Sequence, residues 1–497
     1  MPTSETQQPQ SDSLDQSFLS RVLRIVEDQN LIAGEFPTNE KVVEFRHPRE
    51  LEQEFDLQIS KKPTSSDELE KICIKAAKYS VKTCTPKFYN QLYHGVDEFG
   101  LAGSWLSDAL NTNNYTFEVA PVFILAERAI LEYIRRKFGW TQGDGIFCPG
   151  GSISNMYGMI LARHKAFPEI KTKGLIRGGQ SLVIFTSDES HYSISKGANW
   201  LGIGTENVIK IKTDEAGKMI PELLEQAIEH AQAEGNVPFF VNATAGSTVM
   251  GAFDDLTRIS QICKRHGLWM HVDACWGGAV VLSSIHKRLI EGCQFADSIA
   301  WNPHKMIGAP LQCSAFIVRH PGLLHQANSA SATYLFQQDK FYDVNYDTGD
   351  KSVQCGRKVD GFKLWLMMKA RGEAYFEGLV DNAFAQAKYF MTLVEKTPGF
   401  RPVFDFGYSC TNVCFEYIPE RLRGCPETSE WKEEVAQIPP KLKEALIKKG
   451  SMMIGYQPLK HKNKSNFFRM VVHCVPPPTP QDMEYAIKEL DMCGRLL

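Results

Sequence analysis

A lysine and a carboxylate, each set at the end of an apolar run, are the residues of this chain best placed to do chemistry. Lys305 closes Ser298-Ile299-Ala300-Trp301-Asn302-Pro303-His304-Lys305, in which an apolar strand runs into a turn. In a low-dielectric cleft such a lysine, here beside His304, can become a neutral amine that forms an imine. Alone, it reads as a solvated lysine after a strand. Asp273 alters that reading, because it ends the apolar stretch of His271-Val272-Asp273-Ala274-Cys275-Trp276-Gly277-Gly278 upstream. Pyridoxal chemistry needs both groups: a lysine to hold the aldehyde, and an acid to keep the ring nitrogen protonated so that the ring draws electrons from the substrate Cα. As an isolated residue Asp273 is equally well a helix cap.

Two further features suit the same chemistry. Cys148-Pro149-Gly150-Gly151-Ser152-Ile153-Ser154-Asn155 precedes a helical stretch, so backbone N–H groups and the Ser152 and Ser154 hydroxyls would face an anion such as a phosphate at a helix N-terminus. Ordinary capped helices share this turn, and it is not the glycine pattern of a nucleotide site. His191, in Ser190-His191-Tyr192-Ser193, ends a strand and can stack on a pyridine ring, although a lone histidine is more often structural.

Strands and helices must bring these residues together. From about residue 117 short apolar runs ending in small or polar residues alternate with helical stretches such as 221–230, which implies a parallel sheet covered by helices. Three strands are expected at 181–186, 238–243 and 268–272, each followed at once by a polar cluster: Ser190-His191, Thr244 to Thr248, and Asp273. In open α/β sheets ligands bind beyond the carboxyl ends of the strands, so the clusters should converge. Ahead of this region, Leu69, Ile72, Cys73, Ala76 and Ala77 recur at helical spacing. After it, residues 374–497 mix helices with a strand at 412–417, and Thr479, Pro480 and Asp482 announce a closing helix. The expected division is a disordered tail (1–24), an N-terminal helical segment (25–115), a large cofactor-binding domain (116–373) and a small α+β domain (374–497). Residues 328–350 form a long polar and aromatic stretch without periodicity, which reads as a long loop, either a lid or a disordered segment.

Composition sets outer limits. At 497 residues the chain is too long for one core, and its 43% apolar and 23% charged residues are those of an ordinary globular protein. A net charge of -3 argues against nucleic acid as the main partner. The 13 cysteines are scattered without the spacing of a zinc or redox site, so reduced thiols in the cytoplasm and no bound metal are expected. The opening MPTSETQQPQSDSLDQ has neither the basic start nor the apolar stretch of a signal peptide, and no apolar run approaches membrane-spanning length.

Taken in order, these segments resemble the group II pyridoxal-phosphate decarboxylases, in the branch that acts on glutamate, cysteine sulfinate and aspartate. The resemblance runs from about residue 68 to the C-terminus and rests on Asn90-Gln91-Leu92, Ala120-Pro121-Val122-Phe123, Phe147-Cys148-Pro149-Gly150-Gly151, His191-Tyr192-Ser193, Val272-Asp273-Ala274, Asn302-Pro303-His304-Lys305, Tyr334-Leu335-Phe336-Gln337 and Asn466-Phe467-Phe468-Arg469-Met470. It implies an α/β protein of fold-type I, a homodimer with its active site at the subunit interface, and pyridoxal 5'-phosphate as cofactor. It implies that Lys305 holds the cofactor as a Schiff base, that Asp273 pairs with the ring nitrogen and that His191 stacks on the ring. Gly151, Ser152, Ser154, Asn302 and His304 then lie by the phosphate. Cys275 stands where the family commonly has alanine, beside the ring. Gln91 and Arg469 match residues that hold a substrate carboxylate, and Tyr334 matches a lid tyrosine that protonates Cα after carbon dioxide leaves. Tyr93 stands where glutamate-specific members carry a serine, which favours the shorter aspartate and cysteine sulfinate, to give β-alanine and hypotaurine. Asn113 instead matches the glutamate enzymes, whose product is γ-aminobutyrate. An inactive scaffold relative would be expected to lack Lys305, Asp273 or Tyr334, and the decarboxylase-type lid argues against an aminotransferase.

Overall fold

The computed structural model describes residues 17–32, 40–175 and 180–497. Twelve strands occur among them, in chain order β1 (Phe88–Tyr89), β2 (Asp144–Cys148), β3 (Leu182–Ser187), β4 (Val208–Ile211), β5 (Val237–Thr244), β6 (Trp269–Asp273), β7 (Ser298–Trp301), β8 (Ser314–Val318), β9 (Phe400–Pro402), β10 (Asn412–Tyr417), β11 (Met453–Leu459) and β12 (Lys464–Val471). Seven of them make one sheet in the order β2-β8-β7-β6-β5-β3-β4. Its neighbours from β4 to β7 pair in parallel and only β8 runs against the rest, paired antiparallel with β2 and β7. This is the mostly parallel α/β fold that the alternating pattern implies.

The sequence of the central strands explains their position. β3 and β6 are buried at every residue, as the near-continuous apolar runs Leu-Val-Ile-Phe and Trp-Met-His-Val require. Helices cover both faces. Leu131 and Ile134 of Pro121–Lys137, Leu224 and Ile228 of Pro221–Ala233, and Ile259 and Ile262 of Leu256–His266 pack on one side. Tyr157 and Leu161 of Gly151–Ala166, with Ile194 and Ala198 of Ser193–Trp200, pack on the other.

A five-stranded sheet, β1-β11-β12-β10-β9, lies in the C-terminal part under the helices Glu373–Lys396, Ser429–Lys449 and Pro480–Gly494. The last of these starts with the capping box that Thr479 and Asp482 announce. Two features differ from the expected division. The helix Phe18–Asp28 starts inside the stretch expected to be a disordered tail, with Ser17 as its N-cap; residues 1–16 of that stretch lie outside the described residues. It forms because it packs on Ser66–Tyr79, and Arg21 binds Asp67 and Glu70 there. The N-terminal segment is also not wholly helical, since β1 pairs in parallel with β11, Phe88 against Met453. A two-residue strand carries too little alternation to register in a sequence. No helix among the described residues is long and apolar enough to cross a membrane.

Candidate active site

The carboxyl ends of β2, β3, β5, β6 and β7 open on one cavity of about 200 Å³, whose walls include Gly151, Ser152, Asn155, His191, Thr244, Ser247, Thr248, Asp273, Cys275, Asn302 and Lys305. The convergence follows from topology, because parallel strands deliver all their following loops to the same edge. A larger hollow of about 730 Å³, around Lys165, Trp269 and Lys264 at the other end of the strands, contains none of these groups.

Asp273 is the last residue of β6 and is 5% exposed. Asn155 donates its Nδ2–H to Oδ2 at 2.8 Å, and the Cys275 N–H reaches Oδ1 at 3.1 Å. Burial raises the carboxyl, but neighbouring His191 and Lys305, with the hydrogen bonds from Cys275, outweigh it and hold Asp273 below the usual carboxylate range. Asp273 is therefore an anion that can fix a proton on a facing nitrogen. Behind it a relay holds Asn155 in place. Trp269 Nε1 donates to Ser298 Oγ at 2.9 Å, Ser298 donates to His271 Nδ1 at 2.8 Å, and His271 Nε2 donates to Asn155 Oδ1 at 3.0 Å. This order requires a neutral His271, and burial, against the pull of Asp273, does lower it to about 4.

His191 lies on the loop after β3, and its Nδ1 accepts the Ser193 N–H at 3.2 Å. Burial lowers its pKa, Lys305 adds to the effect and Asp273 opposes it. The result is a flat, uncharged ring on the cavity wall. Lys305 follows β7 by four residues and forms no ion pair among the described residues, so its amine is not committed to a carboxylate.

Pyridoxal phosphate can be tested against this arrangement. The helix Gly151–Ala166 has no side-chain cap at Gly150, which leaves its first N–H groups for an anion beside Ser152. A Cβ at Gly151 would come within 2.6 Å of Cys275 Sγ and 2.8 Å of Asn302 Nδ2, so the floor between helix and loops admits only glycine. An anion site, an anionic partner for a ring nitrogen, a neutral flat ring and an uncommitted amine thus share one cavity, and the residues fit the group.

Several expected residues stand elsewhere in the single chain. The Ser154 hydroxyl is turned onto Ser314 Oγ at 2.7 Å, and Ser314 donates to Asn302 Oδ1 at 2.6 Å. Ser154 therefore orients the Asn302 amide and does not line the cavity, because it lies on the buried side of its helix. His304 accepts the Cys313 N–H on Nδ1 at 3.1 Å, and burial with Lys305 lowers it to about 4. Tyr334 is 78% exposed on its loop and outside the cavity of its own chain. Gln91 is exposed, and the Tyr93 ring packs on Phe88 at 6.0 Å. Asn113 accepts the Arg357 N–H at 2.8 Å and donates to Cys355 O at 3.2 Å, clipping two loops together. Arg469, 8% exposed, sits behind the wall and donates to Thr248 O at 2.9 Å and Asn90 O at 3.1 Å.

Among the cavity residues, Asn155 and Trp276 were not singled out from the sequence, while Thr244, Ser247 and Thr248 belong to the polar cluster after β5. The signal for Asn155 was its place one helical turn after Gly151, on the same face. Trp276, in the loop after β6, carried no comparable signal.

A model of the pyridoxal-dependent decarboxylase conserved domain matches residues 48–418. The chain is 49% identical to the mouse (Mus musculus) cysteine sulfinic acid decarboxylase over 481 residues, covering 97% of this chain and 96% of that one. It is 48% identical to the acidic amino acid decarboxylase GADL1 of Xenopus tropicalis, covering 97% and 93% of the two chains. The crystal structure of mouse CSAD superposes with a TM-score of 0.93 at 47% identity, covering 98% and 100%.

Proposed function

This chain belongs to the pyridoxal-dependent decarboxylase family, and from that premise we propose that it decarboxylates cysteine sulfinate and aspartate in preference to glutamate, giving hypotaurine and β-alanine. Membership makes it an amino acid decarboxylase that uses pyridoxal phosphate. One observation carries the preference for acidic substrates: Arg469 is a nearly buried cation behind the cavity residue Thr248 whose donors reach only backbone carbonyls, with Nε unpartnered and no carboxylate in ion-pair range among the described residues. A buried charge without a partner is costly, and a guanidinium suits a bidentate anion. A substrate carboxylate or sulfinate supplies the missing charge.

Pyridoxal phosphate, when bound, takes up the electron pair left at Cα as carbon dioxide departs. The chain does the rest. Lys305 Nζ would hold the cofactor, Asp273 would keep a proton on its ring nitrogen, and His191 would offer it a flat face. Arg469 and Gln91 would hold the acid groups and so orient the substrate. Tyr334 Oη delivers a proton to Cα. Because Tyr334 stands clear of its own cavity, the proposal places it in the site of a second copy. Exposed apolar side chains on the helices Glu98–Leu110 and Pro121–Lys137, Trp105, Leu106, Val122 and Leu125 among them, offer that copy a face. A cytoplasmic setting belongs to the same proposal and agrees with 13 free cysteines.

Carbon dioxide release from aspartate, cysteine sulfinate, cysteic acid and glutamate, with cofactor added, tests the reading. The shorter acids should lead, and Tyr93→Ser should raise glutamate relative to aspartate, within the roughly 10–200-fold that one methylene commands. If glutamate leads in the unmodified protein, the product is γ-aminobutyrate and Tyr93 does not set substrate length.

A further inference from the structure

Asn90, the residue before Gln91, carries a cation on each of its two oxygens. Arg469 Nη2 donates to its backbone oxygen at 3.1 Å, and Lys443 Nζ donates to its side-chain oxygen, also at 3.1 Å. Lys443 comes from the helix Ser429–Lys449, which packs on β11 and β12, and Arg469 lies within β12. The ammonium also sits over the Tyr456 ring at 5.7 Å, and Tyr456 on β11 pairs with Phe468 beside Arg469. Neither cation has a carboxylate within ion-pair distance among the described residues. Burial is the main force lowering the Lys443 pKa, and the charge of Arg469 adds to it.

Two like charges brought to one residue, both half-buried or more and both lacking an acid, repel each other in a medium that screens poorly. A fold gains nothing by this unless an anion arrives to offset them. We infer that Lys443 is a specificity-determining positioning residue, which raises the positive potential at the Arg469 site through Asn90 so that the enzyme selects substrates bearing a second acid group. The inference rests on the reading of Arg469 as the substrate carboxylate site. Lys443 touches no substrate in this scheme. It holds the Asn90-Gln91 segment against Arg469 and adds a charge behind it.

The test compares Lys443→Gln, Lys443→Met and Lys443→Arg in the holoenzyme. Glutamine keeps a donor for Asn90 without the charge, methionine keeps neither, and arginine keeps both. With cysteine sulfinate, KM should rise about tenfold in the first two variants while kcat changes by less than about threefold, and arginine should restore KM to within about threefold. Succinate, titrated against the visible absorption of the bound cofactor, should weaken by the same factor in Lys443→Gln and Lys443→Met, whereas propionate, with one carboxylate, should move by less than about threefold. If Lys443→Gln matches the parent in KM and succinate affinity, the lysine is only a hydrogen-bond donor to Asn90 and the inference is overturned. If succinate and propionate weaken alike, it is also overturned, because the charge then does not distinguish one acid group from two. Failure of the underlying reading looks different: Arg469→Met, folded and cofactor-loaded, would keep the parent KM for cysteine sulfinate and the parent affinity for succinate.

Discussion

Lys305 and Asp273 divide the work by charge, one kept free of any ion pair and the other kept ionised against its own burial. Lys305→Ala should abolish turnover and the visible absorption of the bound cofactor, and borohydride reduction followed by peptide mapping should label Lys305 alone. Label at another lysine would refute the assignment. Asp273→Asn should still fold, because an amide oxygen can accept from Asn155 or Cys275, yet kcat should drop by on the order of 10² or more as the ring nitrogen loses its charged partner. Near-parent turnover in a folded, cofactor-loaded variant contradicts this. Both residues were legible in the sequence because Asp273 closes an apolar strand with a charge and Lys305 follows one across a short turn, a pattern that the core does not tolerate without a reason. Arg469 was legible for a related cause, a cation inside Phe467-Phe468-Arg469-Met470-Val471-Val472. The direction of the Ser154 hydroxyl was not, since a helix that starts on a glycine turn presents its first serines to opposite sides, and only packing against β8 decides which one meets the cavity.

At the scale of elements, the helix Gly151–Ala166 and the strand β6 are joined through Asn155, whose amide serves Asp273, Ser193 and His271 at once. Asn155→Ala would leave His271 Nε2 without an acceptor and take one donor from Asp273. A stability loss of about 2–4 kcal/mol is expected from two buried groups left unpaired. Cofactor affinity should weaken in parallel, because the Asp273 carboxyl rises when a donor to its charged form is removed. Thermal unfolding and cofactor titration of the same variant check the two effects; a loss of stability with unchanged affinity would make Asn155 a packing residue only. The parallel sheet and its helices could be read from alternating apolar runs, since each is long enough to repeat. The irregular connections could not be read in this way. The lid stretch contains only the short turns Val344–Tyr346 and Gly349–Lys351, and its far end is tied down by Arg357, which bonds Glu127, Asn114 O and Thr348 Oγ1 in the buried interior. No periodicity announces such a knot, because it depends on contacts between segments far apart in sequence.

For the molecule as a whole, the exposed Tyr334 yields a prediction about assembly. Lys305→Ala and Tyr334→Ala proteins should each be inactive, yet hybrids formed by mixing them should regain about a quarter of parental activity, since half of the dimers are mixed and each contains one intact site. No recovery after verified subunit exchange would mean that each chain completes its own site. Acid stability follows from the buried histidines. Burial lowers His94, His271 and His304 to about 4 and holds His473 well below its ordinary value, while Asp254, raised to about 7 by burial, acts in the opposite sense. A group whose folded pKa is depressed keeps its stabilising share above the unfolded value and loses it as pH falls toward the folded one. The histidines outnumber the raised carboxyls Asp254, Glu189 and Asp360, so the fold should weaken by on the order of 1 kcal/mol per pH unit between about 6.5 and 4. A thermal midpoint unchanged from pH 7 to pH 5 would contradict that balance. The pairing of β1 with β11 affects how the protein is made. Phe88 precedes its partner Met453 by 365 residues, so β1 is made well before the sheet whose edge it joins. β1 and the Val42, Val43 and Phe88 cluster around it therefore stay uncovered on the side of Ile447 and Met453 until that sheet forms, a contact of long sequence separation of the kind that closes late in folding.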